Sequence, residues 1–263
     1  MAIEKVREYF AGCGMADRIL EFDSSSATVE LAAQALELAG RNAVPGISTW
    51  ELDRIVNDYV VSHGGSSPCK GYCGFPGHNC FSINEQLIHG IPSKKVILHE
   101  GDIISCDIVA ELNGFMGDNT KTFRVGKVSE EADRLLKVTE EAMFKGIEQA
   151  VAGNRIGDIS NAIQTHVEAN GYAVCRKYIG HGIGREMHED PEVPNFGRAG
   201  RGPRLCQGMT IAIEPMVNTN SPDNITLKDG WTVVTTDGSL SAHFENTVAI
   251  TDGAPIILTQ PEH

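Results

Sequence analysis

Apolar positions recur at helical spacing in four stretches after residue 26. The first stretch follows a serine cluster suited to a helix N-cap, and its apolar face consists of Val29, Ala32, Ala33 and Leu36. The second opens on STWE (Ser48 to Glu51), which has the form of a capping box, and ends at Gly64. Two later segments, SEEADRLLKVTEEAMFKGIEQAV and IGDISNAIQTHVEANG, are amphipathic in the same way. The pattern predicts four helices.

Runs of β-branched and aromatic residues predict strands in both halves of the chain. In VILHEGDIISCDIVAELNGFMGDNTKTFRV such runs flank Asn113-Gly114, and Asn-Gly in that setting is the strongest short-range hairpin signal. The later segments MTIAIEPMV, WTVVTTDGSLSAHFENTVAI and APIILT are also typical of strands. Because helices and hairpins occur in each half, we expect an α+β fold with largely antiparallel sheet.

Composition narrows the class of protein. The chain has 263 residues, of which 41% are apolar and 22% charged, which is typical of a globular protein. Its net charge of −13 disfavours a nucleic-acid binder, since phosphate binding requires a basic face. No apolar run approaches the ~20 residues of a membrane span, and the first residues do not resemble a signal peptide. Seven cysteines, an odd number, favour a cytoplasmic location.

The predicted hairpin places two aspartates on one face. If Asn113 and Gly114 form the turn, Asp107 lies opposite Thr120 and Asp118 lies opposite Val109. Asp107 interrupts the apolar run IISCDIVA, where an unpaired carboxylate is costly. Two carboxylates pointing the same way repel each other unless a cation or a proton lies between them. The alternative is a solvated hairpin face.

Glu214 and Glu245 are two further isolated acids, each within a strand that is otherwise suited to burial. Four such carboxylates, with few basic residues beside them, indicate an acidic internal site. Carboxylate oxygens with a histidine nitrogen are the ligands that Mn²⁺, Fe²⁺, Co²⁺ or Zn²⁺ accept. Four carboxylates exceed the needs of one small cation and fit a two-metal site, in which a shared water is activated.

The segment GHGIGREMHEDP contains His181 and His188, seven residues apart. Two histidines that bind one zinc from a helix are four residues apart, and three glycines argue against a helix here. In an extended strand an odd offset places the side chains on opposite faces. The spacing therefore predicts different roles for the two histidines.

Five motifs in this order and at these intervals resemble the bacterial type I methionine aminopeptidase family, over residues 32–259. They are NEQLIHGIP, NGFMGD, GHGIGREMHEDP, GMTIAIEPMV and SAHFENT. The resemblance implies the pita-bread fold of two α/β halves related by a pseudo-two-fold axis, with two divalent metal ions between them. It also implies removal of N-terminal methionine from nascent proteins by a metal-activated water, with a preference for small second residues.

The resemblance assigns a role to each matching residue. Asp107 corresponds to the bidentate ligand of one metal, His181 and Glu214 to ligands of the other, and Asp118 and Glu245 to the bridging carboxylates. Glu214 is also the expected proton acceptor, while His89 and His188 would contact the substrate amide and the developing oxyanion. The residues that match the methionine pocket are Cys69, Tyr72, Phe75, Cys80, Met187 and Trp231. Phe75 and Met187 depart from the Tyr and Phe that are commoner there, and both remain apolar.

The family further implies Co, Mn, Fe or Zn as the metals, optionally with a monovalent cation, and a monomer that acts on nascent chains at the ribosome. Residues 1–36 instead resemble the opening of the aminoacyl-tRNA deacylase (prolyl-tRNA-editing) family. Nothing later continues that domain, and so short a piece cannot form a core of its own. We therefore expect an atypical N-terminal helical segment over residues 1–26 and a catalytic domain over residues 27–263.

Three alternatives remain to be tested. The spacing of Cys69, Cys73, His78 and Cys80 is compatible with a small zinc knuckle. A proline dipeptidase or aminopeptidase P shares the fold, although such enzymes usually carry a large extra N-terminal domain. A catalytically inactive relative would lack metal ligands, whereas all five are present here.

His243 shares a strand face with Glu245 and is expected to border the site without binding metal.

Overall fold

Residues 27–260 are the part of the chain that the computed structural model describes, and they contain four α-helices and fourteen strands. The helices are α1 (Ala27–Asn42), α2 (Thr49–Ser62), α3 (Glu130–Ile147) and α4 (Ile156–Ala169). The strands of the first half are β1 (Cys80–Ile83), β2 (Gln86–Ile88), β3 (Ile103–Leu112) and β4 (Phe115–Arg124). Those of the second half are β5 (Ala173–Val174), β6 (Gly180–Gly182), β7 (Glu189–Val193), β8 (Thr210–Ile213), β9 (Met216–Asn218), β10 (Asn224–Thr226), β11 (Val233–Thr235), β12 (Ser241–His243), β13 (Glu245–Ala249) and β14 (Ile256–Ile257). The helical segment expected over residues 1–26 lies outside the described residues.

The four predicted helices are confirmed, and α2 begins at the predicted cap; the serine cluster expected to cap α1 lies outside the described residues. Ser48 Oγ accepts a hydrogen bond from the Glu51 N–H at 3.2 Å, and the Glu51 carboxylate accepts one from the Ser48 N–H at 3.0 Å. This reciprocal pair is the capping box that the sequence predicted. Ser129 caps α3 by accepting a hydrogen bond from the Ala132 N–H.

The strands pair antiparallel in one large sheet and two small ones. The large sheet has the order β1-β3-β4-β13-β8-β6-β7, and β14 adds to β13. The small sheets have the orders β10-β11-β2 and β12-β9-β5. The strand β13 therefore lies between a hairpin from the first half and strands from the second half. This arrangement agrees with the predicted α+β fold.

The hairpin of β3 and β4 has the predicted register. Asp107 pairs with Thr120 and Val109 with Asp118, so both aspartates lie on one face. Asn113 and Gly114 form the turn with φ angles of 56° and 80°, the left-handed values that a two-residue hairpin of this kind requires.

Two separate apolar cores support the two halves. Helices α1 and α2 pack against β3, with Leu52 and Ile108 among the fully buried side chains of the first core. Helices α3 and α4 pack together in the second core, where Leu135, Ile159 and Ile211 are buried. The site described below lies where the strands of these halves meet. None of the helices in residues 27–260 is long and apolar enough to cross a membrane.

Candidate functional site

All five candidate metal ligands reach one cavity of about 160 Å³. Asp107 lies on β3, Asp118 on β4 and His181 on β6. Glu214 directly follows β8, and Glu245 is the first residue of β13. The structure therefore brings together, from five adjacent strands, the four acids that interrupt apolar segments and one of the two histidines of GHGIGREMHEDP.

Asp118, His181 and Glu245 are the closest part of this group. One ligand atom from each of these residues lies within 4.8 Å of the other two. His181 Nε2 is 3.9 Å from Asp118 Oδ2 and 3.4 Å from Glu214 Oε1. His181 Nδ1 lies 2.9 Å from the carbonyl oxygen of Gly182. A hydrogen bond from Nδ1–H to that carbonyl leaves the Nε2 lone pair for a metal, which is the usual arrangement of a histidine ligand.

Two of the candidate ligand oxygens are buried without a hydrogen-bond partner in residues 27–260, which fits ligands of a divalent cation. They are Asp118 Oδ1 and Glu245 Oε1, and their residues are only 5% and 3% exposed. Glu245 Oε2 accepts one from the Thr120 hydroxyl at 2.7 Å. A buried carboxylate oxygen without a donor is costly, and a cation between such oxygens removes the cost.

The pKa values of the acids reflect the same crowding. Burial raises the pKa of Asp118 and Glu245 well above the usual range, and the neighbouring carboxylates raise it further. Burial and Asp107 likewise raise the pKa of Glu214 well above its usual value. Burial also raises the pKa of Asp107, which His243 and hydrogen bonds partly oppose. The group therefore binds protons tightly unless cations replace them.

A dependence of stability on pH follows from these shifts. Since the folded protein raises the pKa of Asp118, it binds this proton more tightly than the unfolded chain, in which the pKa is about 4. Ionisation of Asp118 therefore destabilises the metal-free fold as pH rises above about 4. We expect the unfolding temperature of chelated wild-type protein, measured relative to that of chelated Asp118→Asn, to fall between pH 5 and pH 8.

The comparison with Asp118→Asn cancels the opposite contribution of the buried histidines, which both proteins share. Added Mn²⁺ should raise the unfolding temperature of the wild type more at pH 8 than at pH 5, because protons compete with the metal. Parallel curves for the two chelated proteins would contradict the assignment. Scanning calorimetry in chelator gives the first quantity, and scanning calorimetry with added Mn²⁺ and no chelator gives the second.

His89 and His188 lie in the same cavity and are not hydrogen-bonded to the acids. His89 follows β2 with φ 58°, a left-handed conformation that is uncommon for residues other than glycine and is found most often at functional sites. Burial and the neighbouring histidines lower the pKa of His89 to about 4. Burial also lowers the pKa of His188, whose Nδ1 lies 3.0 Å from the hydroxyl of Tyr72. Both imidazoles are therefore neutral at neutral pH.

His181 and His188 have different partners but do not lie on opposite faces of one strand. The strand β6 ends at Gly182, and the chain turns before β7, so the two rings come within 4.5 Å. The expectation from strand parity was therefore wrong about position. His181 Nε2 faces the acids and His188 Nδ1 faces Tyr72, in agreement with separate roles.

Glycines on β6 are required for close packing of the backbone. A Cβ at Gly180 would overlap the carbonyl oxygen of Ala212 on β8, and one at Gly182 would overlap that of Asp190 on β7. Since His181 lies between these two positions, the close approach on both sides fixes the backbone that carries this ligand.

An apolar pocket adjoins the acids in the same cavity. Cys69, Phe75, Cys80 and Met187 are buried there, and the ring of Trp231 packs edge-on against Phe75 at 5.1 Å between centroids. Tyr72 also lines the cavity. All six expected pocket residues are therefore in one place. Ile88 and Val109 also line the cavity without having been predicted, although Val109 shares a strand face with Asp107, which is a signal for its position.

Asp53, on α2, holds the loop that forms part of this pocket. Its carboxylate accepts hydrogen bonds from the backbone N–H of His78 and Asn79 and from the Asn79 side chain, at 2.9 to 3.3 Å. Asn79 precedes Cys80, so these bonds fix the start of β1. No signal in the sequence points to this role of Asp53, which lies on the buried face of α2.

The zinc knuckle considered for residues 69–80 is not assembled. The three-residue cluster able to hold an ion within residues 27–260 consists of Asp118, His181 and Glu245. Cys69 and Cys80 are buried, and burial together with Asp107 raises the pKa of both thiols well above the usual value. Thiols in this state are poor metal ligands, since zinc binds the thiolate.

Comparisons with known proteins agree with this geometry. A methionine aminopeptidase of Clostridium acetobutylicum is 56% identical over 230 residues, which cover 88% of this chain and 92% of that protein. The crystal structure of methionine aminopeptidase from Thermotoga maritima superposes with a TM-score of 0.89 at 40% identity, covering 92% of this chain and 99% of that one.

A prolidase from Pyrococcus furiosus shares the fold at 22% identity, with a TM-score of 0.74 over 94% of this chain and 66% of that one. The solved structures confirm the predicted pita-bread fold. The two methionine aminopeptidases confirm the resemblance to that family. The profile of metallopeptidase family M24 matches residues 25–252. This chain belongs to metallopeptidase family M24.

Proposed function

We propose that this protein is a methionine aminopeptidase, which removes the N-terminal methionine of peptides and nascent proteins and favours small second residues. The observation that carries the proposal is the convergence of four acids and His181 with an apolar pocket in one cavity. A free α-amine fits the acidic end, and an unbranched thioether side chain fits the pocket of sulfur and aromatic groups. This arrangement accounts for cleavage at the N-terminus alone.

We propose two divalent metal ions, of Co, Mn, Fe or Zn, in the acidic end. Asp107 would hold one of them, His181 and Glu214 the other, and Asp118 and Glu245 would bridge both. The buried, unpartnered oxygens of Asp118 and Glu245 support this assignment, since each of these residues has an oxygen free for a cation. When bound, such ions supply Lewis acidity that polarises a peptide carbonyl and makes water more acidic.

Residues of the chain would carry out proton transfer, hydrogen bonding to the substrate and positioning of the methionine side chain. Glu214, whose pKa is raised by burial, accepts a proton from the attacking water. His89 and His188 are neutral and donate hydrogen bonds to the substrate amide and to the oxygen on which negative charge develops. Because His188 Nδ1 faces Tyr72, its Nε2 is left for the substrate. Phe75, Met187 and the other pocket residues exclude water and orient the methionine side chain.

We further propose that residues 27–263 form the catalytic domain and that the protein acts as a cytoplasmic monomer on nascent chains at the ribosome. The location of every candidate site residue between Cys69 and Glu245 supports the domain assignment. The bacterial relatives named methionine aminopeptidase support the choice of substrate.

Release of methionine from a Met-Ala-Ser peptide tests the proposed function. We expect no release in excess chelator and recovery when Mn²⁺, Co²⁺, Fe²⁺ or Zn²⁺ is added singly, because the acids alone cannot polarise the carbonyl. Xaa-Pro peptides are the control, since a prolidase shares this fold. Equal cleavage of the Xaa-Pro peptide, or methionine release that chelator does not affect, would exclude the proposal.

A further inference from the structure

His243 is a buried imidazole without a hydrogen-bond partner among residues 27–260. Only 2% of the residue is exposed, and neither Nδ1 nor Nε2 makes a hydrogen bond to the part of the chain that the structure describes. A buried polar group without a partner destabilises a fold, so each such group in a native protein requires an explanation. His243 lines the cavity that holds the acids, which suggests that the explanation is functional.

The backbone of His243 is fixed by strands from both halves. The His243 N–H donates to the Thr122 hydroxyl at 2.9 Å, and that hydroxyl donates to the His243 carbonyl at 2.9 Å. His243 also pairs with Met216 across β12 and β9. The position of the ring relative to the acids is therefore set by the sheets.

The ring lies near the carboxylates of Asp107 and Glu214, and its Nε2 makes a close contact with Glu214. His243 Nε2 lies 3.4 Å from Glu214 Oε2, while Glu214 Oε1 lies 3.4 Å from His181 Nε2. The two oxygens of Glu214 are thus divided between two imidazoles. The separation of 3.4 Å is longer than a normal N–H···O hydrogen bond by a few tenths of an ångström.

We infer that His243 is a positioning residue for Glu214. Its Nε2–H donates to Glu214 Oε2 and thereby holds Oε1 toward His181, where a ligand to the metal and a proton acceptor are both needed. The inference rests on the proposed function for the roles of Glu214. Partners that orient metal ligands in this way typically change metal affinity or activity by about 10- to 100-fold when they are removed.

Two substitutions separate the hydrogen bond from the space that the ring fills. His243→Gln retains an N–H donor near the position of Nε2, whereas His243→Leu is of similar bulk and has none. We expect His243→Leu to weaken Mn²⁺ binding in titration calorimetry and to lower kcat for Met-Ala-Ser, each by about 10- to 100-fold. KM should change little, because the methionine pocket is untouched. His243→Gln should restore most of both losses.

Stability gives an independent readout. The metal-free His243→Leu protein should unfold below the wild-type temperature, because the buried Glu214 carboxylate loses its hydrogen-bond donor. Wild-type Mn²⁺ affinity and kcat in His243→Leu would overturn the inference, as would a His243→Gln protein no better than His243→Leu, or a metal-free His243→Leu protein as stable as the wild type. If wild-type protein does not cleave the peptide, the proposed function fails, while the Mn²⁺ titrations still decide whether His243 positions Glu214.

Discussion

Asp107→Asn is expected to abolish methionine release almost completely, with a loss of at least about 10³-fold. The substitution keeps the size of the side chain and removes the charge by which Asp107 would hold one of the two metals. Metal catalysis contributes several kcal/mol to stabilisation of the transition state, and about 4 kcal/mol corresponds to a 10³-fold change in rate. Metal analysis should find at most one ion per chain, against two for the wild type.

Glu111→Gln is the matched control for this variant. Glu111 lies on the same strand, β3, and its carboxylate accepts hydrogen bonds from Ser66 and from the Gly114 N–H, outside the cavity. It should retain two metals and wild-type turnover. The metal-free Asp107→Asn protein should also be more stable than metal-free wild type, because Asp107 raises the pKa of Asp118 and Glu245 by repulsion. Two tightly bound metals in Asp107→Asn would refute the assignment of this ligand.

His188→Ala should give the complementary result, in which the metals remain and turnover is lost. His188 contacts Tyr72 rather than an acid, so its removal leaves every proposed ligand in place. Loss of one donor to a developing oxyanion typically lowers kcat by about 10²- to 10³-fold. Metal content, kcat and KM should be measured together on the same preparation.

Two further variants provide kcat values with which the loss in His188→Ala can be compared. His63→Ala removes an exposed histidine at the C-terminal cap of α2 and should leave kcat unchanged. Tyr72→Phe removes only the hydroxyl 3.0 Å from His188 Nδ1, and we expect a loss of about 5-fold, since one hydrogen bond contributes about 1 kcal/mol. A His188→Ala protein with less metal than wild type would identify His188 as a ligand and contradict its proposed role.

The four acids of the candidate site can be singled out from the sequence through short-range patterns. Asp107 and Asp118 follow from the period of two along a strand and from one turn, and both are short-range properties. Glu214 and Glu245 were recognisable because a lone carboxylate in an apolar strand needs a partner. The roles of His89 and His188, and the pocket, came from the resemblance, since no local pattern distinguishes them.

The features that were missed depend on long-range packing. One such feature is the contact between His243 and Glu214, which are separated along the chain by the strands β9, β10 and β11. Another is the set of hydrogen bonds to Asp53 from His78 and Asn79, which lie about 25 residues further along the chain. The error about His181 and His188 arose because strand parity does not apply once the chain turns after Gly182. Periodicity is informative within an element, and it carries no information about how the chain turns between elements.

The central place of β13 in the large sheet has a consequence for the order in which this protein becomes active. Each half has its own helices and core, so the first half can collapse early during synthesis, when Asp107 and Asp118 already lie side by side. Glu245 arrives only with β13, which inserts between β4 and β8 and whose Thr247 hydroxyl bonds the Asp118 carbonyl at 2.8 Å. The same strand therefore joins the two halves and completes the ligand set. A growing chain that still lacks β13 also lacks Glu245, so the proposed metal centre can be complete only after β13 has been synthesised.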